Sequence, residues 1–317
     1  MKQITFLLLA FMGWHTTLAQ ETRFFMPEEI EQAYEKGTRS RDGKPGPEYW
    51  YNEVDYSIEA TVTPETRELT GSANITFRNN SPDDLSVLVM RLYQDAFREG
   101  NQRGSAVRPS DINEGMQISR LTVGGQPVDM EEKVDRDVTN MFIQLDEPVA
   151  AGSSAEIEVD WSMIIPETTI RMGAYDSTSF FVAYWYPQLA VYDDVFGWDV
   201  LPYDFSAEFY NNIGDFDVKI TVPERFTVMA TGVLQNPDEI FDDEMLQRYQ
   251  QAKTSEQTVN VLTVEQATDP DFAHRSGTWH YQAEEVADFS FCMSDHYAWD
   301  AASQKVDGRD VLISSFY

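Results

Sequence analysis

The sequence predicts an all-β protein, a large antiparallel β-sandwich carrying two short helices. Residues 53–62 alternate strictly, with Val54, Tyr56, Ile58, Ala60 and Val62 on one face and Glu53, Asp55, Ser57, Glu59 and Thr61 on the other. That period of two marks a half-buried strand. Many further apolar stretches follow, separated by turn signals, a pattern typical of sandwiches. Hydrophobic residues make up 42% of the 317 and aromatics 13%. The chain is thus too apolar to be a disordered acidic tail, and long enough to bury a real core.

The elements follow in order. Residues 1–19 place Lys2 before an apolar stretch from Ile4 to Trp14, with the small residues Thr17 and Ala19 at the end. This is the order of an export signal. The apolar run falls well short of the ~20 residues of a membrane span. Cleavage after Ala19 removes one Lys and takes the net charge from −31 to −32. The remainder is expected to be exported, periplasmic or secreted, without membrane insertion. Residues 26–36 read as a helix, with Pro27 in the first turn and Gly37 after the end. Residues 39–48 are a linker. Strand 53–62 turns at 64–67 into an alternating partner, 69–77, forming a hairpin. The run Asn79-Asn80-Ser81-Pro82-Asp83-Asp84 is a second turn built from turn-favouring residues. Strands are then expected at 87–93, 118–123, 141–145, 156–161, 180–186, 216–222, 226–233, 258–264, 278–281 and 288–293. A second helix, opened by Asn236-Pro237-Asp238-Glu239 with acids in its first turn, runs to about residue 253.

Charge and motif content exclude several functions. With 54 Asp and Glu against 23 Lys and Arg, binding to nucleic acid or to an anionic membrane surface is disfavoured. The single Cys, Cys292, rules out a disulfide framework and reads as a small buried hydrophobe. His274, His280 and His296 form no H-E-x-x-H pattern, and His280 sits within an expected strand. No nucleophile elbow, P-loop or dinucleotide fingerprint occurs. Acid pairs such as Glu131-Glu132 and Asp242-Asp243 read as solvated surface. Asp193-Asp194 stands apart because it lies in an aromatic-rich stretch, residues 180–210. Two readings of that stretch remain open: a heavy inter-sheet core, or an aromatic-lined cleft that grips a ligand.

A family resemblance emerges here. Trp185-Tyr186-Pro187, Ala190-Val191-Tyr192-Asp193-Asp194, Gly197-Trp198 and Pro202-Tyr203 come in that order. Glu208-Phe209-Tyr210, Gly214-Asp215-Phe216-Asp217-Val218, Ile220-Thr221-Val222-Pro223 and Ala230-Thr231-Gly232 follow. Upstream lie Asp55-Tyr56, Gly71 and the run from Thr76 to Pro82; downstream, Trp279-His280-Tyr281 precedes Val286-Ala287-Asp288-Phe289. Together, over residues 49–300, they resemble the N-terminal β domain of aminopeptidase N-type zinc metallopeptidases, above all the secreted bacterial branch.

The resemblance implies a saddle-like antiparallel β domain over residues 49–305. The helix and linker over 20–48 that precede it come from the local signals above, not from the resemblance, which further implies a non-catalytic domain of an enzyme that removes N-terminal residues from peptides. Zinc and the peptide substrate would be held by a catalytic domain whose H-E-x-x-H motif is absent from these residues. No catalytic or metal residue is therefore assigned, no cofactor is expected in this part, and the chain alone is expected to be inactive. The family's β domain also lends a residue to the substrate amine from a segment corresponding to 171–185. No acid or Gln there lies closer to its end than Asp176, leaving Tyr184 and Trp185 as candidates for lining the substrate cleft. Residues 309–317 (RDVLISSFY) form an apolar strand, expected to begin that second domain at 306–317. The alternative reading is a stand-alone secreted β-sandwich that binds a glycan or a protein partner through its Trp and Tyr faces.

Overall fold

The structure, a computed structural model, describes residues 25–206 and 209–317; the export signal expected over 1–19 lies outside them. One eight-stranded sheet dominates. Its order is Val233–Leu234, Thr278–Val286, Gly214–Thr221, Glu53–Thr63, Glu68–Arg78, Ser154–Ile164, Gln117–Val123 and Gln126–Pro127. The expected hairpin is present, with Tyr56 opposite Ile75 and Ala60 opposite Gly71. Alternate residues of these strands, among them Val54, Ile58, Ile75, Phe77, Val159 and Val218, are buried, while Glu53, Ser57, Glu59 and Thr61 are exposed. One face of the sheet is thus wet and the other covered, which is why the alternation was readable.

One pair departs from the antiparallel expectation. Glu53–Thr63 pairs with Gly214–Thr221 in parallel, Tyr56 opposite Phe216. Parallel neighbours need a long crossover, and here the crossover is everything between the hairpin and residue 214. That intervening chain, joined by two strands from beyond residue 221, builds the smaller sheets that cover the large one. One holds Thr227–Ala230, Phe291–Ser294, Ser179–Val182 and Gly173–Ala174; another holds Gln188–Leu189, Leu85–Arg91, Asn140–Val149 and Val134–Asp137. Their inward residues Leu88, Met90, Ile143, Val182, Val228 and Met293 join one continuous core with the large sheet.

Two contacts show how closely the layers approach. The Trp161 indole N–H donates to the Trp185 carbonyl at 2.9 Å. Its ring stands against Gly71, where a Cβ would come within 2.4 Å, so only glycine fits opposite it. The Asn79 amide, fully buried, donates to the carbonyls of Asp83 and Val149 at 2.8 and 3.1 Å and accepts from Ser81 at 2.6 Å. The turn 79–84 is therefore held by a satisfied side chain, as buried polar groups require.

Several elements are shorter or divided. The strand expected over 180–186 ends at Val182, because Tyr184 takes a positive φ of 55°. The strand expected over 226–233 splits into Thr227–Ala230 and Val233–Leu234 around Gly232, whose φ is 90°. The helix expected over 236–253 is two, Pro237–Ile240 and Asp243–Ala252. Phe241 goes extended between them and is fully buried, while Asp242 caps the second by accepting from the Met245 N–H at 2.7 Å. The strand expected over 258–264 stops at Leu262, where Thr263 and Gln266 form a capping box for the helix Val264–Ala267. Residues 309–317 pair with the preceding strand. Arg309–Phe316 and Trp299–Val306 form a hairpin through Asp307 and Gly308, both at positive φ, the two-residue turn that hairpins favour. The division expected at 305/306 falls inside that hairpin. Among the described residues no helix is long and apolar enough to cross a membrane.

Candidate functional site

The aromatic stretch 180–210 divides between core and surface. Phe180, Trp185, Tyr186 and Tyr203 are buried, whereas Phe196, Leu201 and Tyr210 are half or more exposed. Trp185 is 0% exposed. Its indole donates to the Phe289 carbonyl at 3.0 Å and packs edge-on to Phe291 at 5.4 Å. The structure therefore places Trp185 in the inter-sheet packing, with no face left to line an open cleft.

Tyr184 is placed differently. It is half-buried and lies between two apolar clusters. Its ring meets Tyr93, Tyr203 and Phe209 at 5.2, 5.6 and 5.3 Å, the offset and edge geometries that aromatic pairs prefer. A positive φ in a bulky residue costs of order 1–3 kcal/mol and survives only where the surroundings fix it. Here Gln94 contributes, its side-chain amide donating to the Tyr184 carbonyl at 2.9 Å. That bond fixes the orientation of the amide, and leaves the buried Gln94 Oε1 without a partner among the described residues. Sequence reading did not single out Gln94. The available signal was a polar residue inside the apolar run from Val87 to Phe97.

Arg91 is a second buried polar residue from that run. It pairs with Asp199 at 2.5 Å, donates to Asn140 at 3.1 Å and also reaches the Leu201 carbonyl. Asn140 in turn donates to the Val200 carbonyl at 2.7 Å. Arg91 and Asn140 sit opposite each other across neighbouring strands, so together they pin the segment 199–201 and with it the approach to Tyr203.

The acid pair Asp193-Asp194 proves structural in its contacts. Asp193 accepts from the backbone of Val195 and Phe196 at 2.9 and 2.8 Å and from the Tyr210 hydroxyl at 2.7 Å. Asp194 accepts from the Thr38 hydroxyl at 2.6 Å and from the Arg39 guanidinium at 2.5 and 2.8 Å. Burial opposes its charge, yet those donors hold the carboxyl below the usual carboxylate range. This clamp is the main polar tie between the N-terminal arm and the body. Asp194→Ala is expected to cost about 2 kcal/mol and to free the arm. Limited trypsin digestion should then cut faster at Arg39 and Arg41, while the rest of the chain resists; an unchanged digestion rate would show the arm is held otherwise.

The remaining candidates for chemistry are dispersed. Buried His274 contacts the Thr227 hydroxyl at 3.0 Å. His280 contacts Asp217 at 2.9 Å on the large sheet, and His296 contacts Asp295 at 2.7 Å. Burial pushes the Cys292 thiol up from its usual range, opposite to what a reactive cysteine needs. Among the described residues no three His, Cys, Asp or Glu come together to hold a metal ion.

No family model and no curated protein matches the chain. Solved structures do. The chain resembles M1 zinc metallopeptidases. A point mutant of the enzyme from Deinococcus radiodurans aligns at 14% identity and a TM-score of 0.48, over 86% of this chain and 49% of its own. The unmutated enzyme aligns at 14% identity and a TM-score of 0.47, with the same coverage. The mutant bound to a Tyr-Ser-Ala substrate aligns at 14% identity and 0.47, over 84% and 48%. The chain thus spans about half the length of these structures.

Proposed function

We propose that this chain is the N-terminal, non-catalytic β domain of an exported zinc metallopeptidase of the aminopeptidase N type. The observation that supports it is the ordered run from Trp185 to Val218, read together with what its residues do. Tyr186 donates to Asp288 at 2.8 Å. The Leu189 N–H donates to the Tyr56 hydroxyl at 3.0 Å. Gly214 lies so close to Val54 that a Cβ would sit 1.8 Å from its carbonyl oxygen. The run therefore connects the small sheets to the parallel pair at the centre of the large one, and motifs distant in sequence meet in one body.

On this reading zinc and its peptide substrate belong to a catalytic domain outside these residues. This domain's part is to present the partly buried rings of Tyr184 and Phe209, which pack on buried Tyr93 and Tyr203. The isolated chain should hold no zinc and cleave no peptide. Elemental analysis of the purified chain is expected to find no zinc, and aminoacyl-anilides are expected to stay intact. Stoichiometric, tightly held zinc, or turnover that a chelator abolishes, would overturn the proposal. The reading frame beyond codon 317 is expected to encode H-E-x-x-H.

A further inference from the structure

A separate cleft of about 800 Å³ opens between the end of the N-terminal arm, the start of the strand Glu53–Thr63 and residues 210–215. One wall is aromatic. Tyr49 stacks on Trp50 at 6.3 Å and meets Tyr51 edge-on at 4.9 Å. Tyr192 and Tyr210 line the other side. Their hydroxyls donate to Asp83 and Asp193 at 2.8 and 2.7 Å, so both rings are fixed; Tyr192 is further held edge-on to Trp198 at 5.3 Å, and Tyr210 is the more open of the two. Tyr51 is 64% exposed and Tyr210 50%. Exposed aromatic surface of this kind, held in a concavity, marks a binding site more often than a packing defect.

The charged lining is mostly acidic. Glu53, Asp55, Asp215 and Glu285 face the cleft with a single cation, Arg78. Arg78 is taken up by Asp55 at 2.7 Å and by Glu53 at 3.5 Å, so the lining keeps a net negative charge. The Glu285 carboxylate has no partner among the described residues, and its backbone stands at a positive φ of 53° while its N–H donates to Asp215 at 2.9 Å. The same aromatic wall already carries a cation on its far side, where the Arg39 guanidinium lies 5.3 Å from the Tyr49 ring centre. Trp50, Tyr51 and Tyr210 have no such partner among the described residues.

From this geometry we infer that the cleft binds a basic peptide segment. An Arg or Lys side chain lays its aliphatic stem and cation against the Tyr51 and Trp50 faces, and its charge meets the Glu285 and Asp215 carboxylates. The inference does not depend on zinc or on peptide cleavage.

A net charge of −31 attracts any basic peptide loosely, so the decisive variant must leave charge unchanged. The probe is acetyl-triarginine amide, titrated by calorimetry at low and moderate salt against the full chain. Tyr51→Ala, neutral and exposed, is expected to weaken binding about five-fold, the scale of one cation–π contact. Glu285→Gln should weaken it comparably, and the double change Glu131→Gln with Glu132→Gln, away from the cleft, should leave it unaltered. Circular dichroism establishes that each variant is folded. Equal binding by wild type and Tyr51→Ala, or a loss in the Glu131/Glu132 variant as large as in Glu285→Gln, would mean the overall field alone is acting, and the inference fails. It fails equally if triarginine does not bind, or if a neutral trisaccharide displaces it from the cleft.

Discussion

Trp185→Ala is expected to lower the free energy of unfolding by about 3–5 kcal/mol, the range for removing a fully buried aromatic. The indole has no exposed surface and touches Trp161, Tyr186 and Phe291. Truncation leaves a cavity between layers and strips the Phe289 carbonyl of its donor, adding the cost of an unsatisfied acceptor. Trp185→Phe keeps most of the ring volume and should lose about 1–2 kcal/mol. Urea unfolding followed by fluorescence separates the two variants. If Trp185→Ala unfolds at the wild-type midpoint, the indole is not part of the core, and its role as a ligand wall reopens.

The second large effect is acid sensitivity through His274. The ring is buried against Phe241, Phe272 and Trp279, and burial lowers its pKa from 6.5 to about 4. Above about 6.5 the imidazole is neutral in both the folded and unfolded chain, so it exerts no pH effect. As pH falls below that value, the unfolded chain takes up a proton that the folded one refuses, and stability is lost. The loss is complete near pH 4 and amounts to about 3 kcal/mol. Asp95 and Asp288 act in the opposite sense, because burial raises their pKa values and their contribution improves as pH falls. The two effects separate by comparison with His274→Phe, which cannot titrate. Between pH 6.5 and 4 the wild type should lose stability faster than the variant. Parallel profiles would show that His274 is protonated in the folded protein.

The sequence exposed those features that periodicity or turn chemistry controls. The hairpin 53–78 was legible because its outer face is charged and its inner face apolar at every second residue. The turn 79–84 was legible because Asn, Ser, Pro and Asp all favour such conformations. The parallel pairing of Gly214–Thr221 with Glu53–Thr63 was not, since a strand's own pattern does not name its neighbour. Nor was the division of the 236–253 helix, where the buried Phe241 outweighs local propensity. At the candidate site, the family-like segments located the aromatic stretch but not the depth of each ring. Tyr184 and Trp185 are adjacent, yet a positive φ at Tyr184 sends one ring to a half-open cluster and the other into the core. Gln94 and Arg91 escaped notice because a buried polar residue is recognised only once its partners are known.

The bond from Trp161 to the Trp185 carbonyl and the bond from Trp185 to the Phe289 carbonyl run in sequence across the layers. Neither indole proton can reach solvent unless those layers part. In deuterated buffer these two protons should therefore be among the last to exchange, at a rate set by opening of the whole domain rather than by local fraying. The tryptophan pair is thus a built-in gauge of global opening, readable without any added label.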